Sequence, residues 1–399
     1  MIAHVSTWVL PVSGPPIRDG AVVVQGGRIA AVGPAAEVLA GFTGLICDHG
    51  DGAILPGLVN CHVHLEFSAL AGKVPPQARW EDWLEATLTA QGGLASEAIA
   101  AGIEGAIEAL WQNGAVLVGE VTNTGASWPF LTAGPLAYHL FYECLGFDLM
   151  GTFDLPEKFP WFGRPEVAGA AMVSAAAHAP YSVSAALFRA VAAWNTARSG
   201  LQTVHLAESQ AEIDFLARGN GFFEGLLKRR GRWVPDFQPP GAGAAAYLEG
   251  LGFLGPRTLA VHGTQLSAAD CDCLAGTKTW LVLCPRGNRY TGAGIPPVPE
   301  LLQAGVNLCL GTDSLAGNWD LNLFGEMLWL YKNFPVCPGA LWLRLGTENG
   351  ARALGRAREF GSLTPGKQAA LGFIPLKGGR DFWGELYTAG AAGKWRWLG

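Results

Sequence analysis

Two histidines separated by one residue close the apolar stretch Leu58-Val59-Asn60-Cys61-His62-Val63-His64. Along a strand, residues i and i+2 share a face, so both imidazoles can reach one metal ion from a single strand end. Alone, such a pair fits a buried strand with satisfied core histidines equally well. Val204-His205-Leu206-Ala207-Glu208 adds a third histidine at the end of an apolar run, with a carboxylate three residues on where the chain turns toward a helix. There the histidine can ligate while Glu208 reaches over an open coordination position. Val261-His262-Gly263 supplies another strand-end imidazole, and Leu310-Gly311-Thr312-Asp313-Ser314 a strand-end carboxylate. Three histidines and one aspartate from separate strands around one ion leave a place for water, as hydrolytic metal chemistry requires.

Residues so far apart in the chain need a frame that gathers strand ends. Short apolar runs at 54–64, 115–121, 137–145, 169–178, 201–207, 258–262, 279–284 and 306–311 read as strands, with helix-like segments between them. Eight strands alternating with helices predict an α/β fold, a (β/α)8 barrel over residues 54–357, whose reactive groups lie at the C-terminal strand ends. His62, His64, His178, His205, His262 and Asp313 all fall at or just past such an end. The first fifty residues are β-rich: 21–25 and 28–32 flank Gly26-Gly27, a two-residue hairpin signal. Near the other end, Ala369 to Pro375 reads as a strand after a turn-rich entry. Residues 1–53 plus 358–399 are therefore expected to form a small β-sandwich-like domain beside the barrel.

Composition narrows the class of protein. The 399 residues are 50% hydrophobic and 15% charged, which suits a compact enzyme better than a disordered chain. A net charge of −6 without a basic cluster argues against a nucleic-acid polymer as partner and for a small-molecule substrate. The eight cysteines have no paired-spacing framework, and Cys271 and Cys273 form only a C-x-C, so a reducing cytoplasmic setting is expected. The uncharged stretch 167–188 raises the question of a membrane span. Its His178, Pro180, Tyr181 and serines make it a strand, a loop and a helix start instead. No membrane partner is expected. The zinc base deaminases with a Pro-Cys-x-x-Cys signature are excluded, because that signature is absent.

The set as a whole resembles the amidohydrolase superfamily, in its deaminase and chlorohydrolase branch. The matching pieces are Leu55-Pro56-Gly57-Leu58-Val59-Asn60-Cys61-His62-Val63-His64, His205-Leu206-Ala207-Glu208, Val261-His262-Gly263, Cys284-Pro285-Arg286-Gly287-Asn288 and Gly311-Thr312-Asp313-Ser314. Asn349-Gly350-Ala351-Arg352-Ala353-Leu354-Gly355 and Gly361-Ser362-Leu363-Thr364-Pro365-Gly366-Lys367 continue the order over nearly the whole chain. The resemblance implies that His62, His64, His205 and Asp313 bind one divalent metal ion, with Glu208 and His262 beside it. Two-metal members bridge their ions with a carboxylated lysine at the end of the fourth strand, whereas the nearest upstream lysine here is Lys158 in a loop-like segment. One ion is therefore expected, Zn2+ by default, with Fe2+ able to take similar ligands.

The chemistry expected from this set is hydrolytic deamination. Asp313 and His262 orient water and accept its proton, while Glu208 protonates a ring nitrogen of the substrate. Glu66 and Phe67, just after the first strand, and Glu143, at the end of the third, are expected to line the pocket, with a solvated rim as the alternative for the acids. His178 resembles a substrate-contacting family position, although a histidine before Pro180-Tyr181 can also cap a loop. Trp80 and Trp83 read as lid packing. The departure at Arg286-Gly287-Asn288 is expected to alter the pocket, and that at Ala369-Ala370-Leu371 to leave catalysis alone. The stretch from His62 to Ser68 and the His178-Ala179-Pro180-Tyr181 segment look similar to deaminases of adenine nucleosides. Candidate substrates are 5′-modified adenosines: 6-aminodeoxyfutalosine, S-adenosylhomocysteine and methylthioadenosine. The same chemistry leaves open guanine or cytosine deamination, triazine-type chlorohydrolysis and an imidazolonepropionase-like ring opening; a non-catalytic metal-binding scaffold is the non-enzyme reading. The resemblance also allows a homodimer.

Overall fold

The computed structural model describes residues 1–398. Strands β1 (Ile2–Val9), β2 (Ile17–Gln25), β3 (Arg28–Pro34), β4 (Leu45–Asp48) and β5 (Gly52–Pro56) are joined by β14 (Leu371–Pro375) and β15 (Arg396–Trp397) in one seven-stranded sheet. The β2–β3 hairpin turns on Gly26 and Gly27 at φ 57° and 71°, the paired left-handed conformation that a two-residue loop needs. β5 pairs antiparallel with β14, Ile54 opposite Phe373, so the two ends of the chain are knitted together. The terminal unit is a single hydrogen-bonded sheet, which corrects the sandwich-like expectation.

The apolar run 54–64 is two strands rather than one. β5 ends at Pro56, and β6 (Leu58–Val63) starts a different sheet beside β7 (Ala115–Thr122). Gly57 makes the change of direction at close quarters: a Cβ there would meet Val116 Cβ at 2.9 Å. Nothing in the hydrophobicity marks this break, because both strands are buried throughout.

β6, β7, β8 (Ala137–Cys144) and β9 (Val173–Ala177) form one parallel sheet. β10 (Gln202–Leu206), β11 (Thr258–His262), β12 (Trp280–Leu283) and β13 (Asn307–Leu310) form another. Near-continuous burial along these strands is what parallel sheets covered by helices require. Between the sheets, His205 N donates to the His178 carbonyl at 2.8 Å, and Thr312 N and Asp313 N donate to the His62 carbonyl at 3.2 and 3.0 Å. Asn60 adds a side-chain bond to Thr312 Oγ1 at 2.7 Å. Gly311 allows β13 to come this close, since a Cβ there would meet His62 Cβ at 2.9 Å.

The predicted strand at 169–178 is shorter, Val173–Ala177, and the uncharged stretch around it holds a strand, a loop and the start of the helix Ala185–Ala197. Among the described residues no helix is long and apolar enough to cross a membrane.

Candidate active site

Three non-glycine residues at or just past strand ends take left-handed backbone: Ala207 after β10 (φ 50°), His262 ending β11 (75°) and Asp313 after β13 (60°). Each such kink costs on the order of 1–2 kcal/mol. Their clustering re-aims the chain where the reactive side chains emerge. His62 ends its strand one residue before β6 does, and His64 follows directly, so their rings meet edge to face with centroids 4.7 Å apart.

The imidazoles of three segments converge. His205 Nδ1 lies 2.9 Å from the His178 carbonyl, so Nδ1 carries the proton and Nε2 presents a lone pair. That Nε2 faces His64 Nε2 at 3.3 Å and His62 Nε2 at 3.4 Å. Asp313 Oδ1 sits 3.7 Å from His62 Nε2 and 3.9 Å from His64 Nε2. Burial, reinforced by the neighbouring imidazoles, holds His62 and His64 well below the ordinary histidine range. Burial likewise takes His205 down to about 4. These rings are neutral, the state in which imidazole ligates. Ligands at roughly 2.0–2.2 Å from one ion stand about 3–4 Å from each other, so the donor set fits a single divalent cation. His262 and Glu143 each share a close group with these histidines.

Beside the cluster stands a proton-handling pair. His262 Nδ1 meets Asn288 Oδ1 at 2.8 Å, which makes Nδ1 the donor and leaves Nε2 as an acceptor 3.6 Å from Glu208 Oε1. Burial raises the Glu208 carboxyl above the usual range. Burial raises Asp313 to about 6, against the opposing influence of His262. The turn that carries Glu208 is held from behind: Glu212 accepts from Ala207 N at 2.9 Å and from Glu208 N at 3.0 Å. Ser209, the residue between, caps the helix Gln210–Arg218.

A cavity of about 590 Å³ opens over this cluster, and His64, Glu143, His178, His205, Glu208, His262 and Asp313 line its inner end. Of the other expected pocket residues, Phe67 lines the cavity and Glu66 does not. Glu66 turns into the loop after β7, where Thr122, Asn123, Thr124 and Ala126 all donate to it. A carboxylate so fully bonded holds a loop rather than a ligand. Glu143 is held by Asn123 Nδ2 at 2.7 Å and faces His205 Nδ1 at 3.5 Å. His178 Nδ1 pairs with Ser182 Oγ at 2.6 Å, and burial lowers it to about 4.

The departure at 286–288 does not alter the cavity lining. Arg286 turns away to a two-point ion pair with Asp320, at 2.7 and 2.8 Å, and its backbone N–H donates to Glu326. Glu326 in turn accepts from Asn318, which also donates to the Thr312 carbonyl, so the group braces the loop that carries Asp313. Asn288 is the residue of this segment that reaches the site, through His262. Trp80, Trp83, Tyr181 and Phe223 also line the cavity. The tryptophans are lid residues as expected, but they face inward. No lysine lies in the lining.

The amidohydrolase family model matches residues 53–381, and a bacterial imidazolonepropionase-like composite domain model matches residues 20–42. A 5-methylthioadenosine/S-adenosylhomocysteine deaminase of Syntrophobacter fumaroxidans is 31% identical over 377 residues, 88% of this chain and 79% of that protein. The crystal structure of an adenosine deaminase from Xanthomonas campestris with bound zinc is similar with a TM-score of 0.81 and 26% identity, over 99% of this chain and 90% of that one. An aminofutalosine deaminase of Helicobacter pylori, in complex with methylthio-coformycin, shares the fold with a TM-score of 0.86 at 21% identity, over 99% and 100% of the two chains.

Proposed function

The chain belongs to the amidohydrolase family, and from that premise we propose that it is a metal-dependent aminohydrolase that removes the exocyclic amine of a 5′-substituted adenosine as ammonia. The observation that carries this reading is the pairing of Glu208 with His262 at 3.6 Å beside converging histidine nitrogens, at the closed end of a cavity large enough for a nucleoside. The name of the Syntrophobacter relative supports the substrate class.

His62, His64, His205 and Asp313 would hold one divalent ion, with zinc favoured by the nitrogen-rich set and by the zinc in the Xanthomonas neighbour. When bound, such an ion supplies Lewis-acid chemistry that polarises water into a nucleophile near neutral pH. The chain's own groups do the rest. His262 Nε2, left as acceptor by Asn288, and the Asp313 carboxylate take the water's proton. Glu208, whose raised pKa lets it keep a proton, donates to the purine ring nitrogen next to the attacked carbon. That proton makes the carbon electrophilic, and the proton collected from water then leaves with the amine. Glu143 and His178 face the cavity where hydroxyls of the sugar would lie.

The reading also takes the two four-stranded sheets as halves of one closed (β/α)8 barrel, supported by the hydrogen bonds at both seams. A cytoplasmic setting is supported by eight free cysteines. The test is an ammonia-release panel of adenosine derivatives, guanine, cytosine and amino- and chlorotriazines with zinc-loaded protein. Ammonia from adenosine derivatives is the expected result. Activity on guanine or a triazine, with none on any adenosine, would overturn the substrate class.

A further inference from the structure

Only the inner end of the cavity is occupied by catalytic groups. Its walls continue outward along two helices. From Trp80–Gln91 the lining residues are Trp80, Trp83, Leu84, Thr87, Leu88 and Gln91, spaced as one helical face. From Phe222–Arg229 and its C-cap they are Phe223, Leu226, Leu227 and Arg230, again one face. The helices run outward together: Phe223 packs on Trp80 with centroids 5.8 Å apart, and farther along Arg229 bonds Glu85 at 2.8 Å. Trp80 lies against Glu208, so this end is the inner one. Seven residues on from Trp80 and from Phe223 stand Thr87 and Arg230, each about 10 Å outward at 1.5 Å per residue.

Two features mark that outer level. Thr87 is buried, and its hydroxyl has no hydrogen-bond partner among the described residues. Arg230 makes no ion pair there, although the bases around it do: Lys228 with Glu224, Arg229 with Glu85 and Arg232 with Asp148. One cation of four is thus left free, and it is one that faces the cavity. Carboxylates enter the lining only through Glu143, Glu208 and Asp313, all at the inner end.

Resting on the adenosine reading, we infer that the substrate's 5′ substituent is an extended apolar arm ending in a carboxylate, which Arg230 receives with the Thr87 hydroxyl. The leucines of both helices take the arm, and the guanidinium offers the two-point geometry that suits a carboxylate. A methylthio group stops short of this level. An amino-acid tail would bring an ammonium with no acid to meet it, an unpaired charge that costs affinity.

The experiment compares three 5′-thioadenosines on zinc-loaded protein: one with a carboxybenzyl arm, its carboxamide and methylthioadenosine. The expected kcat/KM favours the carboxylate over the carboxamide by about tenfold or more, as a charge-assisted bond does. Arg230→Gln should bring that ratio to about one, while Lys228→Gln, at a base already paired, keeps it. Turnover of the carboxylate and the carboxamide at equal kcat/KM by the unaltered protein would overturn the subsite and leave the deaminase reading standing. Ammonia from none of the three would overturn both.

Discussion

Glu208 and Asn288 act on the same imidazole from opposite sides, and substitution separates their contributions. Glu208→Gln removes the proton donor but not a donor atom of the His62, His64, His205 and Asp313 cluster. It should keep its bound metal and lose about 10²–10⁴ in kcat, the usual reach of general acid catalysis, checked by metal analysis beside ammonia release. Asn288→Ala leaves the buried His262 Nδ1–H unpaired, so kcat should fall while KM changes little. The histidines and Asp313 were legible because each ends an apolar run within its own segment. Asn288, Thr87 and Arg230 were not, because no local spacing reports which way a loop or helix face turns. Glu66 failed for a related reason. A carboxylate two residues past a ligand can face the ligand or the neighbouring loop, and here five groups of the 122–126 loop compete for it successfully.

The strands bring these residues together through close backbone contacts that side-chain size controls. β13 delivers Asp313 to His62 across Gly311, where a Cβ would lie 2.9 Å from His62 Cβ and 3.0 Å from its carbonyl oxygen. Gly311→Ala should push the two strands apart and loosen the pairing of Asp313 N with the His62 carbonyl. The expected outcome is weaker zinc retention and a Tm lowered by several degrees, read by competition with a chelator and by thermal unfolding. The eight strands of the centre could be read from apolar runs because parallel strands are buried on both faces. The same uniform burial hid the boundary at Gly57, since β5 and β6 carry one hydrophobic signal into two different sheets. Helix faces along the cavity were hidden differently: Trp80 and Leu84 look the same in sequence whether they cover a core or a substrate.

Taken together, the molecule buries more ionisable groups than its site needs, and these set its dependence on pH. His139, on β8 away from the metal cluster, bonds Ser174 at 2.9 Å, and burial lowers it to about 3. A group depressed on folding leaves the unfolded chain holding more protons, so its stabilisation is present above 6.5 and is lost as pH falls toward 3. Glu212 and Glu326 lie the other way, raised by burial to about 8 and about 7. Their stabilisation is present below the unfolded value of 4.5 and is lost as pH rises through the folded values. Opposed losses of this kind place the stability maximum in the mildly acidic range. Denaturant unfolding across a pH series should show both limbs. His139→Gln should shallow the acid limb by up to about 1.4 kcal/mol per pH unit, one proton's worth, and Glu212→Gln should do the same on the alkaline side. Because Glu212 also holds the Glu208 turn, its variant should lose turnover as well, whereas His139→Gln should change the stability profile without changing kcat. An unchanged acid limb in His139→Gln would show that this histidine is not the group that destabilises the fold in acid.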